Sequence, residues 1–136
     1  MKKHVLLIGG STMTRPLSAM LIEKGHHVTV INDDIEICKT LSETKKLNVV
    51  NGDGSKPFIL EEAGASKADL AVALSDNDSD NLVICLLCKK KFHIKKTVAR
   101  ISDPLKIEFF QSIGIDSVVC AASIISTVIE QQIYQN

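Results

Sequence analysis

The 136-residue sequence predicts an α/β fold: a doubly wound parallel sheet of six strands, order 3-2-1-4-5-6, with helices on both faces. Three observations carry this. Short apolar runs alternate with amphipathic, helix-length stretches to the end of the chain. The runs are nearly all aliphatic, as strands covered on both faces must be. The first unit, His4 to Asp33, places an apolar run, a Gly9-Gly10 turn, a helical stretch and a second apolar run in succession. Right-handed crossovers then leave the doubly wound order as the natural arrangement.

Strands are predicted over 5–8, 28–31, 48–50, 70–74, 97–101 and 117–120, and helices over 15–24, 35–44, 57–63, 78–92, 105–112 and 122–134. Pro16 suits the first turn of helix one, and Gly25 its exit. Helix two is predicted to set Ile35, Cys38 and Leu41 or Ser42 on one face. Gly52 and Gly54 punctuate the exit of strand three, and Gly64 stops helix three. Pro104 opens helix five, with Asp103 or Ser102 as its cap. The final helix keeps Ile124, Ile125, Val128, Ile129 and Ile133 apolar, and either closes the core or pairs with a copy of itself. With no linker, repeat or low-complexity stretch, residues 1–136 read as one domain.

Composition narrows the function. Sixteen basic and sixteen acidic residues cancel, so overall electrostatics give no reason to expect nucleic acid or an anionic membrane as partner. No apolar run reaches the roughly 20 residues of a membrane span, and the start is too short for a signal peptide; a cytoplasmic chain without membrane insertion is expected. The basic cluster Lys89-Lys90-Lys91 with His93, Lys95 and Lys96 closes a predicted helix, where cations complement the helix dipole; a docking patch for an acidic partner is the alternative. Cys85 and Cys88 have a CxxC spacing, but inside an apolar helical run that reads as core packing rather than a redox or metal site. The histidines have no ligand spacing, so no metal is expected.

In such a sheet, ligands bind beyond the carboxyl ends of the strands. The sequence places Gly9 to Thr14, Asn32-Asp33, Gly52-Asp53-Gly54-Ser55 and Ser75-Asp76-Asn77-Asp78 there. The dinucleotide fingerprint G-x-G-x-x-G reads Gly9-Gly10-Ser11-Thr12-Met13-Thr14. The first glycine is present. Ser11 stands where backbone approaches a pyrophosphate, and Thr14 where helix and strand pack closely. The acid that reads a ribose falls on Asn32, with Asp33 next to it as a substitute if the strand end bends. Asn32-Asp33-Asp34 would repel a 2′-phosphate, so NADP is not expected. Arg100 is the most isolated interior charge, and either pairs with Asp76 or Asp53 or contacts a ligand phosphate.

The chain resembles the TrkA-N, or RCK N-terminal, family, the N-terminal domains of Trk-type regulators of potassium uptake. The residues that carry this are Gly52-Asp53-Gly54-Ser55-Lys56-Pro57 followed by Leu60-Glu61-Glu62-Ala63-Gly64, Ser75-Asp76-Asn77-Asp78 with Asn81, and Ala99-Arg100-Ile101-Ser102-Asp103-Pro104. The resemblance implies a Rossmann-like, cytosolic nucleotide-sensing subunit that binds NAD(H) or an adenine nucleotide (AMP, ADP or ATP). It further implies a membrane cation transporter or channel subunit as partner, and assembly as a homodimer or higher ring. Carried over by position, the ligand lies on Gly9, Gly10, Ser11, Thr12 and Met13, near Asn32 and Asp33, under Asp53, Gly54, Ser75 and Asp76, with Arg100 nearby. Departures at Ser11, Thr12, Thr14 and Asn32 fall on the ligand positions while the scaffold motifs persist. The expected ligand is therefore a weakly held adenine mononucleotide ahead of intact NAD. A module that has lost its ligand and kept the fold for subunit contacts is the alternative. An enzyme is not expected: no histidine with a partner falls at a strand's carboxyl end, and Tyr134, the only tyrosine, falls in the last helix without a following lysine.

Overall fold

A computed structural model describes residues 1–135. The strands are β1 (His4–Ile8), β2 (His27–Asn32), β3 (Leu47–Asn51), β4 (Leu70–Ala73), β5 (Lys96–Ile101) and β6 (Ser117–Cys120). They form one sheet in the order β3-β2-β1-β4-β5-β6, and every pairing is parallel. The predicted topology is the observed one.

Side chains alternate across the pleat, and each face has its own core. Val5, Leu7, Val28 and Val30 pack under α1 (Thr14–Glu23) and α2 (Ile35–Leu41), against Leu17, Leu21, Ile37 and Leu41. Leu6, Ile8, Ala71, Ala73, Ala99 and Ile101 meet the opposite layer: α3 (Pro57–Glu62), α4 (Asp78–Lys90) and α5 (Ile107–Ser112), through Ile59, Leu60, Ile84, Cys85, Cys88 and Phe110. The alanines on β4 and β5 leave room for α4 to lie close. Cys85 and Cys88 are free thiols in this core, and burial pushes both up to about 12, so they are inert packing groups.

Local chemistry sets the boundaries. Gly25 and Gly64 leave α1 and α3 at positive φ, as helix exits require. Asp34 caps α2 by accepting from the Glu36 and Ile37 amides, and Asn77 caps α4 by accepting from Asp80. Two expectations are corrected, and one of two alternatives is removed. Ile35 is 50% exposed, because the Asp34 cap sets it at the solvent side of the first turn while Cys38 and Leu41 turn inward. Leu105 belongs to a 3-10 turn over Pro104–Lys106, capped by Asp103, so α5 begins two residues later. The last helix, α6 (Ala121–Ile133), buries none of its residues and so does not close the core. Ile124, Ile125, Val128, Ile129 and Ile133 all face solvent. No described helix is long and apolar enough to cross a membrane.

Candidate functional site

The carboxyl ends of β1, β2, β3 and β4 open into a cleft of about 260 Å³. Ile8, Ile31 and Ile84 floor it, and Gly9, Gly10, Asn32, Asp33, Gly52, Asp53, Gly54, Ser75, Asp76, Asn77 and Asp80 form its walls. Of the residues expected to bind ligand, it brings together Gly9, Gly10, Asn32, Asp33, Asp53, Gly54, Ser75 and Asp76. Ser11, Thr12, Met13 and Arg100 lie outside its lining. Ser11 borders a groove between α1 and α2 with Arg15 and Glu36, and Met13 is the exposed residue preceding α1.

The turn after β1 is held by its own hydrogen bonds. Gly9 N–H donates to Ile31 O at 2.8 Å, and the Thr14 hydroxyl donates to Gly9 O at 3.1 Å. Asn32 Nδ2 donates to Gly10 O at 2.8 Å. Both glycines have left-handed φ, +81° and +87°, and a Cβ at Gly10 would stand 2.7 Å from the Thr14 hydroxyl. Thr14 is fully buried. It therefore fills the place of the third fingerprint glycine with a methyl and a hydrogen bond.

Asn32, expected at the ribose position, is 2% exposed and has both ends of its amide engaged. Besides its bond to Gly10 O, its Oδ1 accepts from Asp34 N–H at 2.9 Å. β2 ends here, and the chain bends at Asp33, which is exposed and lines the cleft. Opposite, Asp53 Oδ1 accepts from the Ser55 hydroxyl at 2.7 Å and the Ser55 amide at 2.9 Å, which hold its carboxyl below the usual range. Gly54 passes so close to Ile8 that any Cβ there would collide with it.

The third wall hangs on Asn81, which is fully buried. Its Oδ1 accepts from Ser75 N–H at 3.0 Å, and its Nδ2 donates to Ser75 O at 2.9 Å and Arg100 O at 2.7 Å. One amide thus ties the exits of β4 and β5 to α4. Arg100 Nη1 pairs with Asp76 at 2.9 Å, one of the two partners expected for it. Its Nε is buried without a partner. Asp78 turns away from the cleft, accepting from the Ser102 and Asp103 amides at 2.8 and 3.3 Å.

Four carboxylates, Asp33, Asp53, Asp76 and Asp80, line the cleft, and no lysine or arginine does. Such walls accept hydrogen bonds from hydroxyl and amino groups, and oppose a multiply charged anion deep inside. Asp80 was not singled out from the sequence; its signal is the Asn77 cap, which puts it in the first turn of α4 beside the cleft.

Residues 5–121 match the TrkA-N domain family. The chain belongs to that family. A Trk system potassium uptake protein TrkA homolog of Methanothermobacter thermautotrophicus is 36% identical over 116 residues, covering 85% of this chain and 53% of the relative. The chain thus spans about half the length of that curated relative. In structure it is similar to the TrkA-N domain of the inner membrane protein ybaL from Escherichia coli, with TM-score 0.87 at 18% identity and 97% of each chain covered. The GsuK channel bound to NAD is similar over 88% of this chain and 21% of its own, with TM-score 0.75 and 25% identity.

Proposed function

We propose that this TrkA-N chain is the nucleotide-sensing regulatory domain of a potassium transport system. It acts in the cytoplasm on a membrane cation transporter or channel subunit, as a sensor and not as an enzyme. The observation that carries the reading is the cleft between the Gly9-Gly10 turn, Asp33, Asp53 and Ser75, at the place where parallel sheets of this order bind ligands. The potassium-uptake relative and the NAD-bound channel support it.

The ligand that fits is a single adenine nucleotide. At about 260 Å³ the cleft is just below the roughly 300 Å³ lower end of small-molecule pockets, room for one nucleoside unit rather than two. Asp33 takes the ribose hydroxyls, because the Asn32 amide is already spent on Gly10 and Asp34. The amides of the loop that precedes α1, Ser11 to Met13, receive the phosphate beyond the cleft's lining. The unpartnered aliphatic face of α6 pairs with a second copy, giving a homodimer or a higher ring.

One observation favours a second reading, in which the ligand is lost and the fold serves subunit contacts: the turn is complete without a ligand. Thermal melting with AMP, ADP, ATP, NAD and NADH separates the two. A ligand at 100 times its Kd adds about 2.7 kcal/mol. A rise with a mononucleotide exceeding that with NAD supports sensing, and no rise with any of the five at millimolar concentration leaves the subunit-contact reading.

A further inference from the structure

The formal charge of zero conceals a segregation that the topology imposes. Because all strands run parallel, their starts lie along one end of the sheet, opposite the cleft. Lysines collect there. Lys2 and Lys3 precede β1, Lys24 precedes β2, Lys45 and Lys46 precede β3, Lys67 precedes β4, and Lys95 and Lys96 stand at the start of β5. All of them are exposed. The order β3-β2-β1-β4-β5 sets these starts side by side, a ridge of about 19 Å at roughly 4.8 Å per strand spacing. The end of α4 adds Lys90 and Lys91, which border a shallow apolar groove with Val83, Leu86 and Leu87.

Among the described residues none of these lysines is ion-paired. The carboxylates at the same end are fewer, and two are committed: Asp69 accepts from His4 N–H at 2.8 Å, and Asp116 clasps Lys89 at 2.7 Å. Glu23, Glu43, Glu61 and Glu62 remain, at or just beyond helix ends. Helix-dipole compensation accounts for cations ending α4. It does not account for Lys2, Lys3, Lys95 and Lys96, which precede or begin strands.

We propose that this end of the sheet is a docking face for an anionic lipid surface. Its cations are lysines spread along a line, compact hydrated charges suited to a diffuse layer of headgroups. Both arginines, whose fork suits a fixed phosphate, lie at the other end, Arg15 in the first turn of α1 and Arg100 near the end of β5. The apolar groove between Val83 and Lys91 gives the face shallow contact with the acyl boundary. Docked this way, the cleft faces away from the bilayer. The inference rests on the reading that the chain works beside a membrane, but it requires neither nucleotide nor transporter.

The test is cosedimentation with vesicles of phosphatidylcholine alone, or with about a third phosphatidylserine, at low and high salt. Binding to the anionic vesicles only, weakening with salt, is expected. Reversing Lys2, Lys3, Lys95 and Lys96 to Glu costs about fivefold per lysine, several hundredfold together. Single Lys95→Glu shows the effect, whereas Lys56→Glu, an exposed lysine before α3 beyond the carboxyl end of β3, does not. Circular dichroism and melting confirm that each variant is folded. Equal binding to both vesicle types, no binding to anionic vesicles at low salt, or equal damage from Lys56→Glu and Lys95→Glu overturns the proposal. So does displacement from the vesicles by duplex DNA at equal phosphate, which marks a general polyanion surface. Nucleotide-dependent melting, measured on the same protein, separates a failure here from a failure of the sensing reading.

Discussion

Asn32→Asp is the sharpest test of how the glycine turn is held. By sequence, the change restores the acid expected to read a ribose. By structure, it removes the Nδ2 that donates to Gly10 O at 2.8 Å and sets a carboxylate oxygen against that carbonyl, at a position 2% exposed. A part-buried carbonyl left without its donor costs about 1–3 kcal/mol, before any penalty for the buried charge. For a chain of 136 residues that lowers the melting temperature by roughly 3–12 °C. Burial and the facing carbonyl raise the new carboxyl's pKa in the folded state above the roughly 3.9 of an unfolded Asp. An acid with a raised folded pKa loses stability as pH rises from the unfolded pKa through the folded one. Near pH 4 the protonated carboxyl carries an O–H that can donate to Gly10 O, so the deficit is small there and full at pH 7. Urea melts of both proteins at the two pH values measure it. A variant as stable as the parent at pH 7, with tighter nucleotide binding, would show that residue 32 faces the ligand and not the turn, and would refute the reasoning.

Other expectations follow from the same contacts. Gly10→Ala puts a Cβ at φ +87° and 2.7 Å from the Thr14 hydroxyl, so denaturant melts should show a loss of at least about 1–2 kcal/mol. Burial opposes ionisation of Asp116, but hydrogen bonds from Lys89 and Thr97 outweigh it and hold the carboxyl below its ordinary value. Its contribution is present above the unfolded pKa of about 3.9 and is lost as pH falls through the lower folded one, so Asp116→Asn should be destabilised at pH 7 and approach the parent in acid. Ile125→Glu with Ile129→Glu should turn a dimer into a folded monomer by light scattering, because both residues are exposed on α6; a persisting dimer would exclude that face. Asp33→Asn should weaken adenine-nucleotide binding with little change in melting temperature, since Asp33 is exposed and lines the cleft.

What could be read from the sequence depended on whether one residue's chemistry or the meeting of several decided the outcome. Strands such as Val5 to Ile8 were legible because an aliphatic run between turn residues has few other stable uses. Gly25, Gly64 and Asp103 marked their boundaries through backbone freedom or capping, which are local properties. The aliphatic face of α6 was equally visible, but periodicity does not say whether such a face meets its own core or another chain. At Asn32 the residue type showed that an acid was absent. Only the fold shows that the amide points back at Gly10. Asn81 is similar: its importance comes from three bonds to Ser75 and Arg100, far apart in sequence.

The substitutions in the glycine fingerprint make sense as a set. A buried carbonyl needs a donor from ligand, water or protein. Thr14 supplies one to Gly9 O, and Asn32 supplies one to Gly10 O. Glycine at 14 and aspartate at 32 would each withdraw a donor from an adjacent carbonyl, so the two departures support the same turn. A turn held this way keeps its shape with the cleft empty, and binding then carries little ordering cost there. It also means that a ligand gains little by tightening the turn. A ligand shifts an equilibrium only by preferring one state. Any such preference must come from walls not tied down in this way, and these are the exposed side chains of Asp33 and Asp80 rather than Gly9 and Gly10.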